Sequence, residues 1–174
     1  MPTTEENDLS TMFDHIFGPE RGGLVRGAQL GDSLDSVIAR ESEHCDVSDS
    51  ESRLTLTVSA KADLAHDLYY NVYYIYDADR VVQKISVSAQ YNQYIDNLPP
   101  FAHFTALLKA ISSMLKERYG KPVVEELATK FVGKEKFDQW RPQSDALKKV
   151  LLATYAEPKK KNKKAFRVDY SASV

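Results

Sequence analysis

The side chains with the most obvious capacity for chemistry crowd into LYYNVYYIY, where Tyr69, Tyr70, Tyr73, Tyr74 and Tyr76 fall within eight positions. Phenol rings offer large, stiff contact area with one polar tip, which suits gripping a partner or lining a pocket. The competing reading is simple packing, because aromatic residues fit the pleated, half-buried surface of a strand. A second candidate is the basic run Lys159-Lys160-Lys161-Asn162-Lys163-Lys164. Clustered ammonium groups attract phosphates or acidic proteins. A basic turn without interleaved aromatics also serves simply to stay solvated and to discourage edge aggregation. The five tyrosines with Lys159, Lys160 and Lys161 make up the candidate interaction surface.

Other constellations are incomplete. Glu43-His44-Cys45-Asp46, with Asp49, gathers metal-type donors, but zinc sites want two spaced pairs of Cys or His and the second pair is missing. A nucleophilic Cys45 needs a base brought near by the fold, with His15, His66 and His103 as the candidates, and no catalytic signature surrounds it. The glycine-rich segment 21–31 lacks the Lys-Ser/Thr pair of a phosphate loop and the dinucleotide spacing. No catalytic residue, metal or cofactor is therefore expected.

The chain of 174 residues is long enough for one domain with a proper core. Its net charge of −2 disfavours nucleic acid as the partner. The charge is uneven: residues 1–51 carry twelve acids and three arginines, net −9, leaving +7 for the rest. Such a two-signed chain is either internally complementary or presents both signs to a partner. Cys45 is the only cysteine, which fits a reducing compartment. No apolar run approaches the roughly 20 residues of a membrane span, and the acidic start lacks a leader-like apolar stretch. A cytoplasmic protein with no membrane partner is expected.

Periodicity supplies the elements that must position these residues. Leu9, Met12, Phe13, Ile16 and Phe17 follow helical spacing up to Gly18-Pro19, which ends the helix. Asp32 or Ser33 caps a short helix carrying Leu34, Val37 and Ile38. Residues 41–53 read as an acidic loop. Leu54, Leu56, Val58 and Ala60 alternate as a half-buried strand. Residues 68–91 form a hairpin turning at Asp77-Ala78-Asp79-Arg80. Its first arm is apolar or amphipathic on both sides, predicting a central strand covered on both faces, and its second arm is one-sided. Phe101, Phe104, Leu107, Leu108, Ile111, Met114, Leu115 and Tyr119 make one long helical stripe, closed by Gly120 and Pro122. Residues 123–131 repeat a shorter helical pattern, with Phe137 and Trp140 in a following loop. A second hairpin, 147–155 with 164–172, has the lysine run at its tip. The fold class is α+β: an antiparallel sheet of about five strands, one meander plus a C-terminal hairpin. The long helix crosses one face, with the N-terminal helix beside it. The order suggests one domain over 1–174, with two helix-then-strands units at 8–91 and 97–174.

Gly27-Ala28-Gln29-Leu30-Gly31-Asp32-Ser33-Leu34-Asp35-Ser36-Val37, then Tyr119-Gly120-Lys121-Pro122 and Trp140 before the closing hairpin, resembles small bacterial domains with the β-lactamase-inhibitor-protein-like or small-lipoprotein fold. The chain departs from that pattern in having a single cysteine, which excludes an intrachain disulfide, and in an acidic start from which no leader or lipid-bearing cysteine is expected. The resemblance implies a protein-binding module and carries over no functional residue. The expected function is therefore a bacterial-type, non-catalytic protein-interaction module such as an immunity or inhibitor protein. Its partner would be another protein, with a homodimer also open. The alternative is a small-molecule-binding domain or enzyme with a pocket between the tyrosine-rich sheet and the long helix.

Overall fold

The computed structural model describes residues 4–43, 45–63, 68–92, 101–130, 133–157 and 163–173. Eight antiparallel strands form one sheet: β1 (Asp46–Ser50), β2 (Thr55–Asp63), β3 (Leu68–Tyr76), β4 (Val82–Asn92), β5 (Val124–Lys130), β6 (Gly133–Trp140), β7 (Lys149–Glu157) and β8 (Lys163–Ser171). Their spatial order is β1-β2-β3-β4-β8-β7-β6-β5. Two four-stranded meanders thus meet where β4 pairs with β8. A helix precedes each meander, α1 (Thr4–Phe17) the first and α3 (Phe101–Tyr119) the second. The first half also contains α2 (Leu34–Glu41), held at its start by Ser33, whose Oγ accepts the Ser36 N–H at 3.3 Å.

Residues opposite each other in an antiparallel ladder share a face. One such row runs Val47, Val58, Val72, Val87, Val168, Leu152, Asp138, Glu125. The adjacent row runs Leu56, Tyr74, Ile85, Tyr170, Val150, Trp140. This is the core face, and the helices lie on it. Phe104, Leu107, Ile111 and Leu115 of α3 are fully buried, with the Phe104 ring 6.1 Å from that of Phe166. Met12, Ile16 and Phe17 of α1 are buried beside them. Burying a side chain of this size stabilises by roughly 1.5–3 kcal/mol, so these stripes, rather than helix propensity, hold α1 and α3 in place. Gly120 closes α3 at φ 79°, and its carbonyl accepts the Trp140 indole N–H at 2.8 Å.

Several expectations need correction. The sheet has eight strands, not about five. Residues 123–131 do not form a helix: Val124–Lys130 is β5. Its Glu, Leu and Ala residues favour a helix only weakly, and ladder pairing with β6 overrides that preference. Phe137 and Trp140 lie within β6, not in a loop. The acidic segment 41–53 contains β1 followed by a single 3-10 turn, Glu51–Arg53. Nor, among the described residues, is β3 covered on both faces. Tyr70, Val72, Tyr74 and Tyr76 are buried, whereas Tyr69 is 51% exposed and Asn71, Tyr73 and Ile75 are half-buried on the other side. No described helix packs on that second, open face. The lysine tip, Lys159–Lys161 included, and His44 and His66 lie outside the described residues.

Candidate functional site

The tyrosines divide between the two faces. Tyr70, Tyr74 and Tyr76 point under the helices, and buried hydroxyls require partners. Tyr74 donates to Glu41 Oε1 at 2.8 Å, Tyr70 to the His15 carbonyl at 3.0 Å and Tyr76 to Asp49 Oδ1 at 2.6 Å. Glu41, the last residue of α2, is 4% exposed and forms a two-pronged ion pair with Arg26: Nη2 to Oε2 at 2.8 Å and Nε to Oε1 at 3.3 Å. Arg26 also donates to the Tyr70 hydroxyl and lies over the Tyr70 ring, 5.2 Å from its centroid. The glycine-rich segment delivers Arg26 to this position. Gly18 ends α1 in a left-handed turn, and Arg26 itself sits at φ 47°, its N–H bonded to the Phe17 carbonyl at 2.6 Å. L-residues rarely adopt that conformation, so the surroundings must hold it.

The electrostatics of this cluster favour tying over reacting. Burial opposes the Arg26 charge, but Tyr70, Glu41 and Tyr74 outweigh it and keep the guanidinium firmly charged. Burial raises both the Tyr70 and Tyr74 phenols well above their ordinary value, so both stay protonated donors. Cys45, at the rim of a recess of about 70 Å³ shared with Asp14, His15 and Arg21, is raised by burial and held as the thiol. His15, edge-on to the Tyr70 ring at 5.5 Å, is lowered first by desolvation and then by Arg26 and Arg21. Charged and polar groups here satisfy one another and join α1, α2 and β3. Neither Arg26 nor Glu41 stood out in the sequence. The usable signal was Tyr70 and Tyr74 in phase with Val72: hydroxyls on an apolar face that needed buried partners.

Tyr69 and Tyr73 lie on the open face. One row there runs Thr57, Tyr73, Ser86, Asp169, Leu151, Gln139. At its centre Asp169, 6% exposed, accepts from Ser86 Oγ at 2.5 Å and Arg167 Nε at 3.0 Å, with Lys84 Nζ at 3.9 Å. Two half-exposed cations share one carboxylate in a shallow groove of about 390 Å³, bordered by Thr55, Tyr73 and Ile75. Leu151, Phe137 and Tyr155 extend the half-buried apolar surface toward β6. Among the described residues, no group of three or more His, Cys, Asp and Glu converges to hold a metal ion. No described helix is long and apolar enough to cross a membrane. No family model, curated protein or solved structure matches the chain.

Proposed function

We propose that the protein is a non-catalytic protein-interaction module of the immunity or inhibitor type, and that it binds through the open face of its sheet. One observation carries this reading. The α-helices α1, α2 and α3 bury their apolar residues in one cluster with Val58, Val72 and Val87 of the core face, and among the described residues the other face of the eight-stranded sheet has no helical layer. That face has the composition of an interaction surface: aromatic and aliphatic side chains (Tyr69, Tyr73, Ile75, Phe137, Leu151) around a partly desolvated charged centre. Against the pocket alternative, the hydroxyls of Tyr70, Tyr74 and Tyr76 are taken up by protein groups. The recess beside Tyr70, bordered by His15, Arg26, Glu41 and Cys45, is only about 70 Å³.

The test compares the wild-type chain with a Tyr73→Glu/Leu151→Glu variant as immobilised baits in an extract of the source cells. Circular dichroism first establishes that the variant is folded. A protein retained by the wild type and lost from the variant is the expected result. A partner that binds both equally, or no partner at all, refutes the reading.

A further inference from the structure

The two edges of the sheet are unequal. At one edge, β1 is five residues long and α2 packs beside it. There Asp49 is engaged by Tyr76 and Arg80. At the other edge, β5 is seven residues long, and among the described residues only β6 pairs with it. The second half has no counterpart of α2, because four residues separate α3 from β5 where 28 separate α1 from β1. Glu125, Glu126, Leu127, Ala128 and Thr129 are therefore exposed whichever face they point to. Val123 and Leu127, at 63% and 69%, are the most exposed of the large apolar side chains described. A long unguarded edge offers free backbone donors and acceptors to another strand.

We infer that β5 is a self-pairing edge: two copies of the chain join antiparallel through residues 124–130, about a two-fold axis at Leu127, into one continuous sheet. The inference is independent of the open-face reading. Such an isologous contact must be self-complementary, and this register meets the requirement. Leu127 faces Leu127, Glu125 faces Thr129 and Glu126 faces Ala128, so no like charges are directly opposed. On the core face, Glu125 looks across the short Thr129 of the second copy to that copy's Lys134, which pairs with Thr129 in its own hairpin. The separation is two strand spacings, roughly 10 Å at the backbone, within the combined reach of a Glu and a Lys side chain. The symmetry makes this contact twice. On the open face, Glu126 looks across Ala128 to Glu135 of the second copy, an unfavourable pair that gives the two faces of the seam opposite electrostatic signs.

Sedimentation equilibrium of the full chain at up to about 100 μM tests the association. A dimer is expected. Leu127→Lys and Glu125→Lys should each weaken it, the first by at least roughly tenfold, whereas Glu126→Gln should strengthen it. Leu127 is mostly exposed, so its replacement leaves folding intact. Cysteine placement then reads the register in a Cys45→Ala background. Leu127→Cys should form an intermolecular disulfide under mild oxidation. Glu125→Cys should not, because its two copies would lie four residues apart along the strands, roughly 13 Å and beyond disulfide reach. A monomer throughout the concentration range overturns the inference. So does a dimer indifferent to Leu127→Lys, or one in which Glu125→Cys cross-links and Leu127→Cys does not.

Discussion

Replacing Glu41 with Gln keeps the shape of the side chain and removes only its charge. In the folded chain this leaves the Arg26 guanidinium, 5% exposed, without its counter-ion. Removing one member of a buried ion pair destabilises by about 3–5 kcal/mol. The lower end applies here, since a glutamine oxygen can still accept from Tyr74 or Arg26. About 3 kcal/mol is a large part of the 5–15 kcal/mol typical of a domain, and for a chain of this size it lowers the melting temperature by roughly 6–12 °C. Urea unfolding, followed by circular dichroism and Trp140 fluorescence, measures the loss. The control is Asp35→Asn. Its pair with Arg80 has the Arg26–Glu41 distance, 2.9 Å against 2.8 Å, but Asp35 is 80% exposed. Water screens that pair, so its loss should leave the midpoint unmoved. The triple variant Arg26→Met/Glu41→Leu/Tyr74→Phe, which removes the ion pair together with the hydroxyl that donates to Glu41 and leaves Tyr70 bonded to the His15 carbonyl, should be more stable than Glu41→Gln alone. A loss below about 1 kcal/mol for Glu41→Gln, with an unchanged urea dependence, would refute the assignment of Arg26 as a buried charge held by Glu41.

Trp140→Phe deletes the donor to the Gly120 carbonyl and should destabilise by about 1–2 kcal/mol, read by circular dichroism because Trp140 is the sole tryptophan. Gly133→Ala would place a Cβ 2.6 Å from the Ala156 carbonyl oxygen and from Tyr155, so the β5–β6 hairpin should loosen by about 1–3 kcal/mol, with faster amide exchange along β5 as the local signature. His15 has a pKa below its ordinary 6.5 in the folded chain, set by desolvation and then by Arg26 and Arg21. The unfolded chain therefore takes up a proton that the folded chain resists, so stability should fall as pH drops through about 6.5, and His15→Gln should flatten that part of the stability curve.

How much of the molecule was legible depended on which elements face both protein and water. The stripe of α3 and the alternation of β2 were readable, because one side of each meets the core: Phe104, Leu107, Ile111 and Leu115 in the first, Leu56 and Val58 in the second. The edge strands were not. In β1 the polar sequence DVSDS turns only Val47 and Asp49 toward the core side, and both faces of β5 meet solvent, so neither shows a period-two pattern. β6 was missed for a related reason. Its core-face positions are Lys134, Lys136, Asp138 and Trp140, and the first three are ionisable residues, so no apolar alternation announces the strand. The Arg26–Glu41 pair spans 15 positions, and Arg26 to Tyr70 spans 44, so no local spacing announces the cluster. Arg26 also sits inside the glycine-rich segment 21–31, which shows no helical or strand period.

The strand order has a consequence for how the chain assembles. Of the seven ladders among the described residues, six join strands adjacent in sequence and β4–β8 joins distant ones. Each meander can therefore form from local contacts at small loop-closure entropy, and the expensive long-range encounter is concentrated in a single zipper of nine residue pairs from Lys84↔Ser171 to Asn92↔Lys163. Val87 and Val168 lie near the middle of that zipper, both fully buried. Truncating either should slow folding more than an equally destabilising change inside one meander, placing the rate-limiting step at the moment the two halves find each other.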